Sequence, residues 1–304
     1  MVKGDRIVLG TAQWGLVYGI ANRTGVPAPA AIARILARAR DAGITTLDTA
    51  RAYGQSEAIL GELVGEDPGW TIVTKIPPLG LEGADAVAAA DATRRAMDAS
   101  LGALRRVRLD AVLLHDPGDR TVAAGAAWRV LCEGRASGVI GRLGISARNP
   151  AEAIRALDAE DVDVVQVAMS LFDSRLVRAH FVERARAAGK HVFIRSVFLQ
   201  GVAHLSPDAL APHLEPLRPV LAAIARWAQP RHMTPAEACL LYVRDTCPLP
   251  VVLGMETEAQ LEANIRTWAR SELAPAELAD LAAQVPDLPE AVVDPSKWPV
   301  AVRG

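Results

Sequence analysis

The sequence predicts an α/β chain folded as a single (β/α)8 TIM barrel. Three observations carry the prediction: short β-branched runs alternate with Ala-rich helical stretches nearly end to end, eight strand-like runs are each followed by a helical one, and 304 residues suit one barrel. Apolar strands joined by helical crossovers make a parallel sheet covered by helices on its outer face. An open doubly wound sheet is the competitor, but it needs a phosphate-binding glycine turn after an early strand. "GTAQWGLVYG" does not read G-x-G-x-x-G, and no helix begins directly after it.

The elements follow in order. "RIVLGTA" (6–12) leads to a helix over 28–43, where Ile32, Ile35, Leu36 and Ala39 share a face and Gly43 stops the helix. "ITTLDTA" (44–50) leads to a helix holding Ile59, Leu60 and Leu63. Next come "TIVTKI" (71–76), a helix around 84–107, "LDAVLLH" (109–115), a helix around 122–136, "GRLGIS" (141–146) and a helix from about Pro150. "VDVVQVA" (162–168), a helix around 175–188, "HVFIRSV" (191–197), two helical stretches around 207–245, "PVVLGM" (250–255) and a helix near 257–270 complete the set. One domain spans 1–304, and its proline-rich tail from about 284 is expected to cross the barrel surface as irregular chain.

Composition narrows the function. Hydrophobic residues make up 51% and charged residues 22%, with a net charge of −2, so no strong field recruits nucleic acid or an anionic membrane. A small, nearly neutral partner is expected. Asp5 and Arg6 interrupt the apolar run a signal peptide needs, and no apolar run approaches the ~20 residues of a membrane span, so a cytoplasmic location is expected. Cys132, Cys239 and Cys247 are odd in number and lack C-x-x-C spacing, which suggests plain thiols, with no disulfide framework and no metal site.

Barrel enzymes carry their chemistry at the C-terminal ends of strands. Strand two ends at Asp48 with Tyr53 just beyond, in an exposed turn where core packing does not ask for a tyrosine; strand three ends "VTK" at Lys75; strand four ends "LLHDP" at His115. Each has a structural reading of its own, as a loop acceptor, a core cover, a solvated strand end or a satisfied core histidine. Together they place four ionisable groups on one rim, and their joint logic is proton donation. A free tyrosine titrates near ~10, and a neighbouring ammonium lowers such a value by ~1–3 units. Lys75 is the expected ammonium, Asp48 its anchor, and a neutral His115 the donor that orients a carbonyl. The set lacks a nucleophile, and a polarised carbonyl would take hydride from a nicotinamide.

These residues resemble the aldo-keto reductases. "LDTARAYGQSE", "VTK" and "LLHDP" look like that family's signature segments, and the resemblance extends through "GTAQWG", "GRLGIS", "VDVVQVA" and "PVVLGMETEAQLEANI". It implies Asp48, Tyr53, Lys75 and His115 as the catalytic tetrad, Ser146 and Gln166 on the nicotinamide carboxamide, and Ser196, Leu199 and Gly201 along the pyrophosphate. Arg195 stands where the family often stacks an aromatic ring, and Ala147 where it has an asparagine. Gly254, Gln260 and Asn264 match the adenosine end, but the span "GMETEAQLEAN" has no Lys or Arg, Ala263 takes a Glu position, and Glu256 and Glu258 are anionic. NADP(H) is the implied cofactor, with NAD(H) as the alternative. Trp14 and Tyr18 are expected walls of the substrate site, and Gln13, Asn22 and Arg23 of the long first loop are candidates for a sugar-like aldehyde. The implied activity is carbonyl–alcohol interconversion. Two rivals are a nucleotide-binding regulatory subunit with little turnover and a lyase using Lys75 as a Schiff-base amine. The carbonyl compound and the oligomeric state stay open.

Overall fold

The computed structural model describes residues 6–65 and 67–299; Asp5 and the last residues of the proline-rich tail lie outside them. Eight parallel strands close into a barrel in chain order: β1 Ile7–Gly10, β2 Thr46–Asp48, β3 Thr71–Ile76, β4 Leu109–Leu114, β5 Ile140–Ser146, β6 Val164–Ala168, β7 His191–Arg195 and β8 Val251–Gly254. β8 returns to β1 with Leu253 beside Leu9, which completes the ring. The predicted (β/α)8 fold is therefore the observed one. Most strands are shorter than the apolar runs that announced them, because the ends of those runs turn into the rim loops.

Packing has two layers. Inside the barrel Val73, Ala111, Leu113 and Val164 form a small cluster with Phe193 against it. Outward-facing residues such as Leu9, Leu47 and Val112 join a larger cluster with the apolar faces of the helices, including Ile32, Ile35 and Leu36.

The helices are α1 Ala12–Gly15, α2 Pro29–Asp41, α3 Ser56–Leu63, α4 Ala86–Leu104, α5 Val122–Ala136, α6 Pro150–Asp158, α7 Arg175–Arg178, α8 Phe181–Ala187, α9 Arg218–Ala228, α10 Pro235–Thr246, α11 Glu258–Trp268, α12 Pro275–Ala283 and α13 Glu290–Val293. Several starts are written in side chains: Asp85 caps α4, Asn149 caps α6, and Thr234 and Thr257 make capping boxes on α10 and α11, each worth ~1 kcal/mol. The helix expected over 175–188 is split, because His180 sits in the left-handed region at φ 49°. The helix expected to reach 107 stops at Leu104, where Arg105 takes φ 53° without a glycine to signal it. Beyond α12 the chain makes α13 and a 3-10 turn at Pro295–Lys297, with Val292, Val293 and Trp298 buried. Among the described residues no helix is long and apolar enough to cross a membrane.

Candidate active site

The loop after β2 is held by an unusually close backbone approach. A Cβ on Gly15 in α1 would overlap the Tyr53 carbonyl oxygen and lie 2.6 Å from Ser56 N, and one on Gly54 would overlap the Gly15 carbonyl. Two facing glycines thus let α1 press onto the Tyr53 loop. Beneath it, Ser56 Oγ lies 2.7 Å from Thr11 Oγ1 and 3.1 Å from Thr49 Oγ1, joining β1, β2 and α3. Glu57, the next residue, accepts from Thr74 Oγ1 at 2.6 Å and pairs with Arg51 at 3.1 Å, which ties the same helix to β3. The sequence reading missed Thr11, Ser56 and Glu57, although the last two directly follow the tyrosine turn.

Asp48, Tyr53, Lys75 and His115 come together at the C-terminal end of the barrel. Lys75 is completely buried and Asp48 is 4% exposed. Lys75 Nζ donates to both Asp48 oxygens and to Thr49 O, each at 2.8 Å. An ammonium has three N–H groups, so these contacts use all of them. Lys75 Nζ also lies 5.2 Å from the centroid of the Tyr53 ring. The Tyr53 and His115 rings meet edge-on, with centroids 5.9 Å apart.

The electrostatics correct one expectation. Tyr53 is half-buried, not in an exposed turn, and its hydroxyl is pushed above the ordinary tyrosine value, first by burial and then by the Asp48 carboxylate. The opposing cation is Arg195, because the charge of Lys75 is spent on Asp48. Burial pushes the Lys75 ammonium down, with Asp48 resisting. His115 is pushed down to about 3 by burial, with Lys75 and Arg195 adding to it, so its imidazole is neutral at physiological pH. Its Nδ1 is buried without a hydrogen-bond partner. A fully buried amine with every N–H engaged is also poorly set to form an imine, which counts against the lyase reading.

The residues expected around a nucleotide divide into two groups. Ser146 and Arg195 end β5 and β7, and Gln166, in the middle of β6, is the register partner of Ser146. Gln166 Nε2 donates to Asp48 Oδ1 at 2.7 Å, Ser146 Oγ lies 3.4 Å from Gln166 Oε1, and Arg195 Nη2 donates to Ala147 O at 3.0 Å. The loop after β7 then runs through left-handed backbone at Ser196, Leu199, Gln200 and Gly201. Leu199 at φ 46° is an outlier for a bulky side chain, the kind of local strain that gathers at ligand sites. Its side chain is buried, so only its backbone faces a path along this loop.

At the far end Gln260 is committed elsewhere: its Oε1 accepts from Glu256 N at 2.6 Å and Thr257 N at 3.1 Å, completing the α11 capping box. A Cβ on Gly254 would lie 2.5 Å from Gln13, so that side chain rests against the glycine. Glu258 is paired with Arg34 and Glu262 with Arg38 across to α2. Asn264 is buried on α11.

The expected substrate walls also separate. Trp14 is fully buried and donates its indole N–H to Met255 O at 2.9 Å, so it belongs to the core and walls nothing. Tyr18 enters the mouth, where burial raises its hydroxyl value and Tyr53, Arg195 and Lys75 all act on it. Asn22 spends its amide inside its own loop, on Tyr18 O, Gly25 O and two backbone N–H groups. That loop docks on the β7 loop through Ile20 N to Gln200 O at 2.9 Å. A cleft of about 240 Å³ lies here, lined by Tyr18, Ala147, Arg195, Ser196 and Gln200 and by the Val293–Ser296 turn. Gln200, which the sequence reading missed, hydrogen-bonds Tyr18 and has a buried Oε1 with no partner.

Fold and rim together define a parallel barrel with a buried carboxylate–ammonium pair beneath a tyrosine and a neutral histidine. The chain belongs to the aldo/keto reductase family, whose model matches residues 6–285. A 6-dehydroglucose reductase of Novosphingobium aromaticivorans is 32% identical over 155 residues, covering 46% of this chain and 48% of the relative, so the match spans about half that relative's length. Two solved structures share the fold: an aldo-keto reductase from Bacillus halodurans in its holo form (19% identity, TM-score 0.70, 93% of each chain covered), and glycerol dehydrogenase from Gluconobacter oxydans (22% identity, TM-score 0.70, 93% of each chain covered).

Proposed function

We propose that the protein is an NAD(P)H-dependent oxidoreductase that interconverts a small, polyhydroxylated aldehyde or ketone and its alcohol. The observation that carries this reading is the convergence of Tyr53 and a neutral His115 above the buried Asp48–Lys75 pair. Membership of the aldo/keto reductase family supports it, and the names of the sugar reductase and glycerol dehydrogenase relatives point to hydroxylated substrates.

The residues suit a nicotinamide nucleotide. Unpartnered acceptors, Gln200 Oε1 and His115 Nδ1, lie buried at the mouth, and the cleft that Gln200 lines also has Ala147, Arg195 and Ser196 in its wall. Ser146 and Gln166 would hold the carboxamide, Ser196, Gly201 and the Leu199 backbone the pyrophosphate, and Gly254 and Asn264 the adenosine end. A nicotinamide held there would supply the hydride for the carbonyl carbon. Tyr53 gives its hydroxyl proton to the carbonyl oxygen in reduction and takes it back in oxidation. His115, held neutral by burial, orients that oxygen by donating a hydrogen bond. Arg195 is the positive charge that favours the Tyr53 phenolate, and Tyr18 closes the mouth on the substrate side.

The test is a fluorescence titration with NADH and NADPH, then a panel of sugar, aliphatic and aromatic aldehydes. Binding of at least one nucleotide and turnover of a hydroxylated aldehyde are expected. Tyr53→Phe should lose carbonyl reduction while keeping nucleotide affinity, since only the proton donor leaves. Failure to bind either nucleotide, or near wild-type turnover in Tyr53→Phe, overturns the reading.

A further inference from the structure

Arg195 ends β7 with no carboxylate beside it. Its Nη1 donates to Ser196 Oγ at 3.2 Å and its Nη2 to Ala147 O at 3.0 Å, and among the described residues it makes no ion pair. A guanidinium has five N–H groups, so three remain to give. Its register partner on β6 is Ala168, which brings no acid either. The other cations around it are matched. Of the two arginines that share its cleft, Arg148 lies against Asp116 and Glu152, and Arg175 against Asp173 and Glu290. The more deeply buried Lys75 and Arg244 face Asp48 and Asp245. Asp294, the remaining carboxylate of the cleft wall, accepts from Ser296 N and Oγ.

The unmatched cation is also placed for the chemistry. Its charge reaches Tyr53 and His115, the two groups that would hold a carbonyl oxygen, and Tyr18 at the mouth. A partly buried charge without a counter-ion is unfavourable, and a ligand that brings one relieves it. We propose that Arg195 anchors a carboxylate of the substrate, so that the carbonyl compound is an acid, such as an oxo acid or a uronic acid. The proposal rests on the oxidoreductase reading above and names its substrate class. A planar fork with three free N–H groups suits a carboxylate better than a phosphate, whose second charge finds no free cation here, since Arg148 and Arg175 are each held by two acids. The anchor has a kinetic consequence. A bound carboxylate offsets the cation that favours the Tyr53 phenolate, so the advantage of an acid falls in KM, with kcat no higher.

Matched pairs test this: D-glucuronate against D-glucuronamide, and the shorter succinic semialdehyde against its amide, each reduced with whichever nucleotide binds. Within each pair the acid is exchanged for a neutral group of nearly the same shape. In at least one pair the acid should have a kcat/KM at least about 10-fold higher, carried by KM, the size of one charge-assisted hydrogen bond. Equal values in both pairs, or preference for the amides, overturn the proposal. In Arg195→Gln the preference should vanish, and Arg195→Lys should keep part of it. Arg195 also acts on Tyr53, so turnover of both members drops in these variants and only their ratio is read. A preference kept by Arg195→Gln overturns the anchor, as does a loss confined to nucleotide affinity, which would give this arginine to a cofactor phosphate. Turnover of neutral hydroxylated aldehydes alone leaves the oxidoreductase reading standing and sinks this one; absence of nucleotide binding and of any turnover overturns both.

Discussion

Lys75 Nζ sits 5.2 Å from the centroid of the Tyr53 ring, yet its three N–H groups all go to Asp48 and Thr49. Proximity to the tyrosine is thus an ion under the ring face, while the hydrogen bonds belong to the strand below. The pair acts first as a buried electrostatic floor, and Tyr53 feels Asp48 and Arg195 more than Lys75.

Lys75→Met should destabilise the protein by about 3–5 kcal/mol, because it leaves the Asp48 carboxylate buried and unpaired. Adding Asp48→Asn should restore much of that loss, since the uncompensated charge is then gone. Urea unfolding of the two variants checks this. A double variant less stable than the single one would show that the pair contributes net stability beyond mutual neutralisation.

Gly15→Ala should displace the Tyr53 loop. The new methyl group would overlap Tyr53 O and crowd Ser56 N, both of them backbone atoms that move only with the loop. Overpacking of this kind costs about 1–3 kcal/mol, and kcat/KM should fall with it. Gly102→Ala is the control: nothing lies within 4 Å of its Cβ position, and in the last turn of α4 it should gain a few tenths of a kcal/mol. Melting temperatures and turnover of the two variants give the comparison.

His115 sets a pH dependence of stability. Its folded-state value of about 3 lies below the ordinary 6.5, with burial the main cause. Between those values the unfolded chain binds a proton that the folded chain refuses. The neutral histidine therefore costs no stability above pH 6.5, and stability falls as pH drops from 6.5 toward 3. His115→Gln should show a shallower loss of melting temperature across that interval; identical slopes would place the acid sensitivity elsewhere. In the reduction profile, no acidic limb near 6.5 should arise from this residue.

The fold was legible because it rests on local signals. Apolar runs ending at Asp48, Lys75 and His115 mark strand ends, and Asp85, Asn149, Thr234 and Thr257 write their caps into the chain. The meeting of Asp48, Tyr53, Lys75 and His115 was legible for the same reason, since barrel topology turns three consecutive strand ends into one rim. What escaped was relationship across the barrel. Gln166 meets Asp48 from 118 residues away, and no local pattern states which end of its amide does so. Trp14 looked like a wall because it follows a strand end, yet the α1 turn carries it inward to Met255. Arg105 and His180 end helices in left-handed backbone that a sequence normally assigns to glycine. Gln260 sits in the segment expected to meet a nucleotide, but the α11 capping box claims its carbonyl.

Glu256 is the residue through which cofactor preference should respond. It follows β8 at 9% exposure, and its backbone N–H is tied to Gln260 Oε1. Glu258 and Glu262 are neutralised by Arg34 and Arg38, whereas no ion pair reaches the Glu256 carboxylate among the described residues. On the proposed placement of the nucleotide, a buried carboxylate here would repel a 2′-phosphate and accept from a ribose hydroxyl. Glu256→Lys replaces that repulsion with a charge-assisted contact, worth about 1.5–3 kcal/mol when made to phosphate. The ratio of kcat/KM for NADPH over NADH should rise at least about 10-fold. The measurement is a pair of initial-rate series with the two cofactors at one carbonyl concentration, alongside direct titration of both nucleotides. An unchanged ratio would mean that this carboxylate does not face the 2′ position.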